Sequence, residues 1–298
     1  MENVIRFDSV SKYNAFNNQE TLHPLISIVD LSKANPRHRH RLYFGLYTII
    51  LKEVKCGDLQ YGKNYYDYQE GTLVFLAPGQ VVGIESTEET YQPLGHALVF
   101  HPDLIHGTIL GRNINNYTFF SYNSSEALHL SERERGIVME CFSKIEYELQ
   151  HAIDKHSKTL IVSTIELFLN YCVRFYDRQF ITREHVQKGI LERLENLLNE
   201  YFKSEKPQLD GLPSVAYCAG ELNLSANYFG DLVKKDTGRS AQEFIQNKVI
   251  DIAKEKIFDM SKSISQVAYD LGFKYPAHFA RLFKQKVGKS PNEYRLLN

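Results

Sequence analysis

Lys274, Arg281, Lys284, Lys286 and Lys289 all fall between Leu271 and Asn292, a stretch that contains no Asp or Glu. Cations unopposed by acid make a local positive face, which is what contacts to phosphate require. The guanidinium of Arg281 is a planar fork that can pair with a guanine edge, so Arg281 is the candidate base reader. Lys274, Lys284 and the amide hydrogens of a helix start are better suited to phosphate. Tyr275, His278 and Gln285 lie among them and complete the candidate set. Lys286 reads equally well as a solvated charge, and His278 alone as a surface histidine.

The spacing predicts a helix from Pro276 to Val287: proline tolerates a first turn, and Gly288 stops the chain beyond it. Phe279, Leu282 and Phe283 then share a core face, leaving Ala277, His278, Arg281, Lys284 and Gln285 outward. Ser265 to Tyr269 reads as a shorter preceding helix and Asp270 to Phe273 as the turn, with Gly272 at a backbone position that strains other residues. The pattern is written twice. Tyr228-Phe229, Leu232-Val233, Gly238, Ser240 and Glu243 precede His278-Phe279, Leu282-Phe283, Gly288, Ser290 and Glu293 by a constant 50 residues. The offset is 52 between Val215-Ala216-Tyr217 and Val267-Ala268-Tyr269, which predicts a two-residue adjustment between helices. A duplicated helix-turn-helix is an architecture that lays one helix in a DNA major groove.

In the first copy Ser225 is a natural N-cap for a helix from Ala226 to Lys235, with Phe229, Leu232 and Val233 inward. Ser225, Asn227 and Lys234 are its candidate DNA contacts, Asn227 being suited to adenine. Gly230 offers nothing and Asp231 repels phosphate, so this copy is expected to contribute less than the second. Ala241 to Met260 has helical apolar spacing and is expected to hold the two units apart.

The remaining chain differs in kind. At 298 residues two domains are expected. Residues 212 to 298 hold 13 Lys/Arg against 9 Asp/Glu, whereas the whole chain is at -1, so the rest is acidic. Short apolar runs at Leu42–Leu51, Gly71–Leu76, Ala97–Phe100 and Tyr117–Phe120 read as strands of a barrel or sandwich. From Ser131 the period becomes helical: Ile137, Cys141, Ile145, Leu149 and Ile153 in one helix, Leu160 to Cys172 in a second, and a third over His185 to Phe202. These helices have an apolar stripe to bury against the barrel or against a second subunit. Lys203 to Pro207, with Asp210-Gly211 beyond, reads as the interdomain linker. The expected organisation is α+β: a barrel over 1–130, a helical linker or dimerisation region over 131–203, and an all-α DNA-binding domain over 204–298. The first residues carry an acid and no long apolar run, no stretch suits a bilayer, and Cys56, Cys141, Cys172 and Cys218 lie far apart. Cytoplasmic residence is expected, without membrane association or a zinc knuckle.

Ile264–Tyr269, Leu271-Gly272-Phe273, His278-Phe279-x-Arg281-x-Phe283-Lys284 and Gly288-Lys289-Ser290-Pro291-x-Glu293-Tyr294-Arg295 resemble the DNA-binding domain of the AraC/XylS family of bacterial transcription regulators. The resemblance implies two helix-turn-helix units joined by a helix over Gly211–Arg295, binding double-stranded promoter DNA as a monomer or homodimer. It also implies RNA polymerase as a partner in activation. Tyr275-Pro276-Ala277 departs from the small polar residues common at that point in the family. Pro36–His40, Glu70 to Gln80, Phe100–Leu104 and Glu126–Ser131 resemble the cupin-like sensory barrel of the same family.

Cupin enzymes hold a metal by a His-x-His pair, a glutamate and a later histidine. His38 and His40 are present, but Tyr43-Phe44-Gly45 and Val81-Val82 stand at the other two positions, so no metal, cofactor or catalytic role is expected. His101 and His106 would join the pair only if the fold brought them near. A small organic effector is expected instead, with His38, His40, Tyr43, Tyr47 and Tyr66 as candidate contacts and Tyr61, Tyr65 and Tyr68 nearby. The reading is a sequence-specific, effector-responsive transcription activator. The rivals are a regulator controlled by a partner protein and a cupin-type metal enzyme.

Overall fold

The computed structural model describes residues 4–38, 41–52, 71–83, 90–123, 126–152, 154–182 and 184–296. The chain divides into two units, Met1–Thr182 and Arg183–Asn298. The first unit runs β1 (Val4–Phe7), α1 (Val10–Phe16), β2 (Ile26–Asp30), β3 (Arg37–His38), β4 (Arg41–Phe44), β5 (Tyr47–Lys52), β6 (Thr72–Leu76), β7 (Gln80–Gly83), β8 (Thr90–Tyr91) and β9 (Gly95–Phe100). There follow α2 (Pro102–Ile105), α3 (Ile109–Asn113), β10 (Leu128–His129), α4 (Glu132–Gln150) and α5 (Ser157–Thr182).

Strands β10-β6-β5-β9-β2 form an antiparallel sheet, β1-β4-β7 a smaller mixed one, and β3 pairs with β8. Side chains alternate along each strand, so the five-stranded sheet buries two faces. Val74, Leu76, Ala97 and Val99 pack with Phe7, Leu42 and Phe44 of the smaller sheet. On the other face Tyr47 stacks on Phe100, Tyr47 and Phe75 meet the Phe119 and Phe120 rings of the chain beyond β9, and α4 and α5 pack against β2 and β10. The apolar stripe of the helical pair, including Cys141, Ile145, Ile165 and Cys172, is buried within this unit.

Two strand expectations are corrected. Leu42–Leu51 is broken at Gly45-Leu46, with β4 in one sheet and β5 in the other. Tyr117–Phe120 is not a strand: Thr118–Ser121 is a 3₁₀ turn, whose Phe119 ring packs 4.4 Å from Phe75 and 5.5 Å from Tyr176. Burial of aromatic rings outweighs β-propensity there. The edge strand β10 is closed by buried Gln179, which accepts from the His129 amide at 2.8 Å and donates to the Ala127 carbonyl at 3.2 Å. Arg178 adds a fork onto Glu134 at 2.9 and 2.8 Å.

The second unit contains α6 (Glu184–Lys203), α7 (Lys206–Asp210), α8 (Val215–Glu221), α9 (Ala226–Thr237), α10 (Ala241–Lys256), α11 (Ile264–Asp270), α12 (Pro276–Val287) and α13 (Pro291–Leu296). One apolar cluster runs through α6 and α8 to α12: Leu194, Leu198, Phe202, Cys218, Phe229, Val233, Ile245, Val249, Val267, Phe279 and Phe283 all belong to it. The third helix is therefore part of this unit, and the unit boundary falls after Thr182 rather than at the expected linker Lys203–Pro207. Polar residues at 203–207 suggested a tether, yet Pro207 is buried and the apolar face of α6 points into the core. Among the described residues no helix is long and apolar enough to cross a membrane. Leu198→Ala removes a side chain with no exposed surface and is expected to destabilise the second unit by about 2–5 kcal/mol. Hydrogen exchange in α10 checks this, and unchanged protection there would exclude α6 from the core.

Candidate nucleic-acid interface

Pro276 and Gly288 bound α12 as the sequence predicts, Gly288 closing it in the left-handed conformation at φ 84°. Phe279 and Phe283 are fully buried, and Leu282 is half-buried. The opposite face presents Ala277, His278, Arg281, Lys284 and Gln285 to solvent, with exposed Lys274 and Tyr275 before it. His278, Arg281, Lys284 and Gln285 thus stand on one face of one helix, and the other two candidates lie at its start. The Tyr275 and His278 rings meet edge to face at 5.4 Å, and the Lys274 Nζ lies 5.9 Å from the Tyr275 centroid.

The helix starts separate the copies. Ser214, Ser225, Ser240 and Ser263 each accept an amide hydrogen at the start of α8, α9, α10 and α11. Tyr275 holds the same position before α12 and makes no side-chain cap. Ser225, a candidate DNA contact, accepts the Tyr228 amide at 3.2 Å, so an oxygen lone pair is turned to its own helix. Asn227 and Lys234 are exposed as expected.

The structural register corrects the sequence repeat. Cys218-Ala219 and Val267-Ala268 are the buried pairs of α8 and α11, an offset of 49 rather than the 52 of the Val-Ala-Tyr match. Leu224 donates to the Ala219 carbonyl and Phe273 to that of Ala268, both at 2.9 Å, which places the two turns in the same register. From α9 and α12 onward the offset is 50. The copies therefore differ by one residue, added where Lys274-Tyr275 leads into α12. Val215-Ala216-Tyr217 resembled its partner in residue type but not in burial. At the offset of 50, Arg281 corresponds to Asp231, Lys284 to Lys234, and exposed His278 to buried Tyr228. The charge is thus reversed at the central position of the two helices.

Two carboxylates lie in the field of these cations. The Ser240 backbone amide and hydroxyl hold Glu243 below the ordinary glutamate range, with Lys286 and Arg239 adding to it. The Ser290 amide and hydroxyl do the same for Glu293, assisted by Lys284 and Lys289. Both caps are complete above the ordinary glutamate value and are lost as pH falls through the lowered ones. Lys284 thus has an acidic neighbour that the acid-free run of sequence did not disclose.

A helix-turn-helix domain family matches residues 218–296. The uncharacterized HTH-type transcriptional regulator YfiF of Bacillus subtilis is 28% identical over 141 residues, 47% of this chain and 41% of that protein, so this chain spans under half its length. The HTH-type transcriptional activator RhaS of Yersinia pestis is 23% identical over 88% of this chain and 89% of its own. A transcriptional regulator from Chromobacterium violaceum, described as of the AraC-type DNA-binding domain-containing proteins, matches 28% of this chain and 74% of its own at 23% identity and TM-score 0.27. Residues 218–296 thus carry an AraC-type helix-turn-helix domain of the kind found in transcriptional regulators.

Outside the AraC-type domain, Tyr43 and Tyr47, the two candidate effector contacts whose side chains are described, lie in different sheets. Tyr43 lies on the face of β4 opposite to buried Leu42 and Phe44, and the Arg6 guanidinium covers its ring at 3.9 Å. Tyr47 belongs to the other sheet, stacked on Phe100 at 5.0 Å and edge-on to Phe120 at 5.1 Å, with its hydroxyl pKa raised by burial. Alternate strand positions face opposite ways, which a list of tyrosines conceals. His38 lies in β3, and His40 and Tyr66, like Tyr61, Tyr65 and Tyr68, fall outside the described residues. His101 Nδ1 accepts the Asp103 amide at 3.2 Å as the N-cap of α2, and His106 is exposed. No metal-holding group of His, Cys, Asp or Glu occurs among the described residues.

Tyr275 in the AraC-type domain yields opposing expectations for stability and binding. Tyr275→Ser supplies the missing N-cap at an extended backbone position and is expected to stabilise the domain by about 0.5–1 kcal/mol. The same change removes an exposed ring from the reading face and is expected to weaken duplex binding. Thermal unfolding and fluorescence anisotropy check the two separately; unaltered anisotropy would remove Tyr275 from the contact set.

Proposed function

We propose that this chain is a one-component transcription regulator that binds promoter DNA in a sequence-specific manner and activates in response to a signal received by its first unit. The observation that carries the reading is the single exposed face of α12, where Arg281, Lys284, His278 and Gln285 stand opposite two fully buried phenylalanines. Such a helix can enter a major groove with its apolar side still in the domain core. Arg281 reads a base edge, and Lys274 and Lys284 contact phosphate. On α9, Asn227 reads and Lys234 contacts phosphate, and Asp231 tolerates only a base that offers a hydrogen-bond donor, such as the cytosine amino group. Ser225 orders the start of that helix beside the backbone.

The similarity to RhaS, a protein named as an activator, supports activation over repression, and the partner proposed for activation is RNA polymerase. The first unit receives the signal in a cupin-like barrel, and α4 and α5 lie between that barrel and the AraC-type domain in the chain. A ligand biases such an equilibrium only by its difference in affinity for the two states. His38, His40 and Tyr66 are of residue types that suit a small organic effector. Tyr43 and Tyr47 stand on different sheets, each on the face turned away from the core that the sheets share, so an effector touches at most one of them. The protein acts without catalysis, cofactor or membrane, in the cytoplasm, as a monomer or homodimer.

Selection from random duplex DNA, followed by anisotropy on the enriched site, tests this reading. Arg281→Ala is expected to weaken that site about 5- to 150-fold and relax one position. Equal loss on random duplex would deny it a base-reading role. Lys284→Ala is expected to lower affinity for all duplexes and to reduce the salt slope by about one; an unchanged slope would remove Lys284 from the phosphate contacts.

A further inference from the structure

Two glycines touch where α7 meets the turn of the second helix-turn-helix. A Cβ on Gly272 would lie 2.7 Å from the carbonyl carbon and oxygen of Gly211 and 2.8 Å from the Pro207 carbonyl oxygen. The equivalent turn position of the first copy is Asn223, also left-handed, at φ 58° against 89° for Gly272. Left-handed backbone alone therefore admits a side chain in this motif. Close approach of the α7 backbone is what demands its absence at 272. Gly211 has φ 86° and ψ -151°, a conformation essentially confined to glycine.

The same segment is tied to the rest of the domain. Tyr201 of α6 is buried and donates its hydroxyl to the Gly211 carbonyl at 2.9 Å. Its ring meets Tyr217 of α8 edge to face at 5.2 Å, and Tyr217 Oη lies 3.1 Å from the Lys206 Nζ. The Lys256 ammonium at the end of α10 donates to the Phe202 carbonyl at 3.5 Å. Residues 201 to 211 thus touch the first helix of copy one, the joining helix and the turn of copy two.

Resting on the DNA-binding reading, we infer that α6 and α7 act as a strap that sets the phase between the two reading helices, with Tyr201, Gly211 and Gly272 as positioning residues for DNA recognition. The apolar cluster that α10 shares with α11 and α12 fixes a separation through side chains. The strap adds a backbone contact next to α12 that opposes residual pivoting of the second turn. Two readers held rigidly bind a bipartite site with a high effective concentration at one spacing and a low one at others.

The full chain carrying Gly211→Ala or Tyr201→Phe tests this, with binding measured on the selected duplex, on a version with one base pair inserted between the half-sites, and on one with the first half-site scrambled. Insertion turns the half-sites by about a tenth of a helical turn. Wild type is expected to lose at least about tenfold on insertion and each variant under about threefold, with affinity for the scrambled duplex kept within about twofold. Ile245→Val, a core change away from the strap, is expected to keep the wild-type spacing preference. Equal loss on all three duplexes, an unchanged spacing profile, or flattening by Ile245→Val would each overturn the strap. Where Gly211→Ala fails to fold, Tyr201→Phe decides, because its fold needs only the loss of one hydroxyl. Failure of wild type to hold any duplex at low salt would overturn the DNA reading itself, and the strap with it.

Discussion

Phe279 and Phe283 lie one turn apart on α12 and both are withdrawn from solvent, so the helix has one permitted rotation. Turning it would expose both rings at a cost of about 3–6 kcal/mol and carry Arg281 and Lys284 toward an apolar interior, which opposes it further. The outward face is thus a consequence of the inward one. Phe229 and Val233 orient α9 in the same way, and all four belong to one cluster. Neither reading helix can be reoriented without disturbing packing shared with the other.

Within that common frame the two copies have diverged in chemistry. An extra residue enters where the chain approaches α12, a tyrosine replaces the capping serine, and arginine stands where the first copy has aspartate. The added Lys274 and the exchange of aspartate for arginine shift attraction for a polyanion toward the second copy. Gly272 and Asn223 show divergence of another kind, at a turn whose backbone conformation is nearly common but whose neighbours are not. In the first unit a related economy appears: buried Gln179 bonds the His129 amide and the Ala127 carbonyl beside β10, which lies at the edge of its sheet among the described residues.

The limits of α12 were legible because proline and glycine act through their own backbones and need no partner. The rotation of α12 was legible because only one of its faces is apolar. Residue resemblance was less dependable: Val-Ala-Tyr recurs, yet the buried pairs that set the register are Cys218-Ala219 and Val267-Ala268. Tyr117–Phe120 looked like a strand because aromatic and branched residues favour strands, and the rings instead serve a turn packed on Phe75 and Tyr176. Polar residues around Lys203 looked like a tether because a local reading cannot see that α6 has its partner in the helices that follow.

Local chemistry therefore determined the helix-turn-helix repeat, the boundaries of its second reading helix and the cationic face, since propensity, periodicity and charge are properties of neighbours in sequence. Tertiary structure alone decided that α6 joins the second unit, that Tyr43 and Tyr47 lie on separate sheets, and that the Gly272 turn rests on Gly211. Those outcomes depend on which distant surfaces exclude water together and how closely their backbones approach, and no short stretch of the chain carries that information by itself.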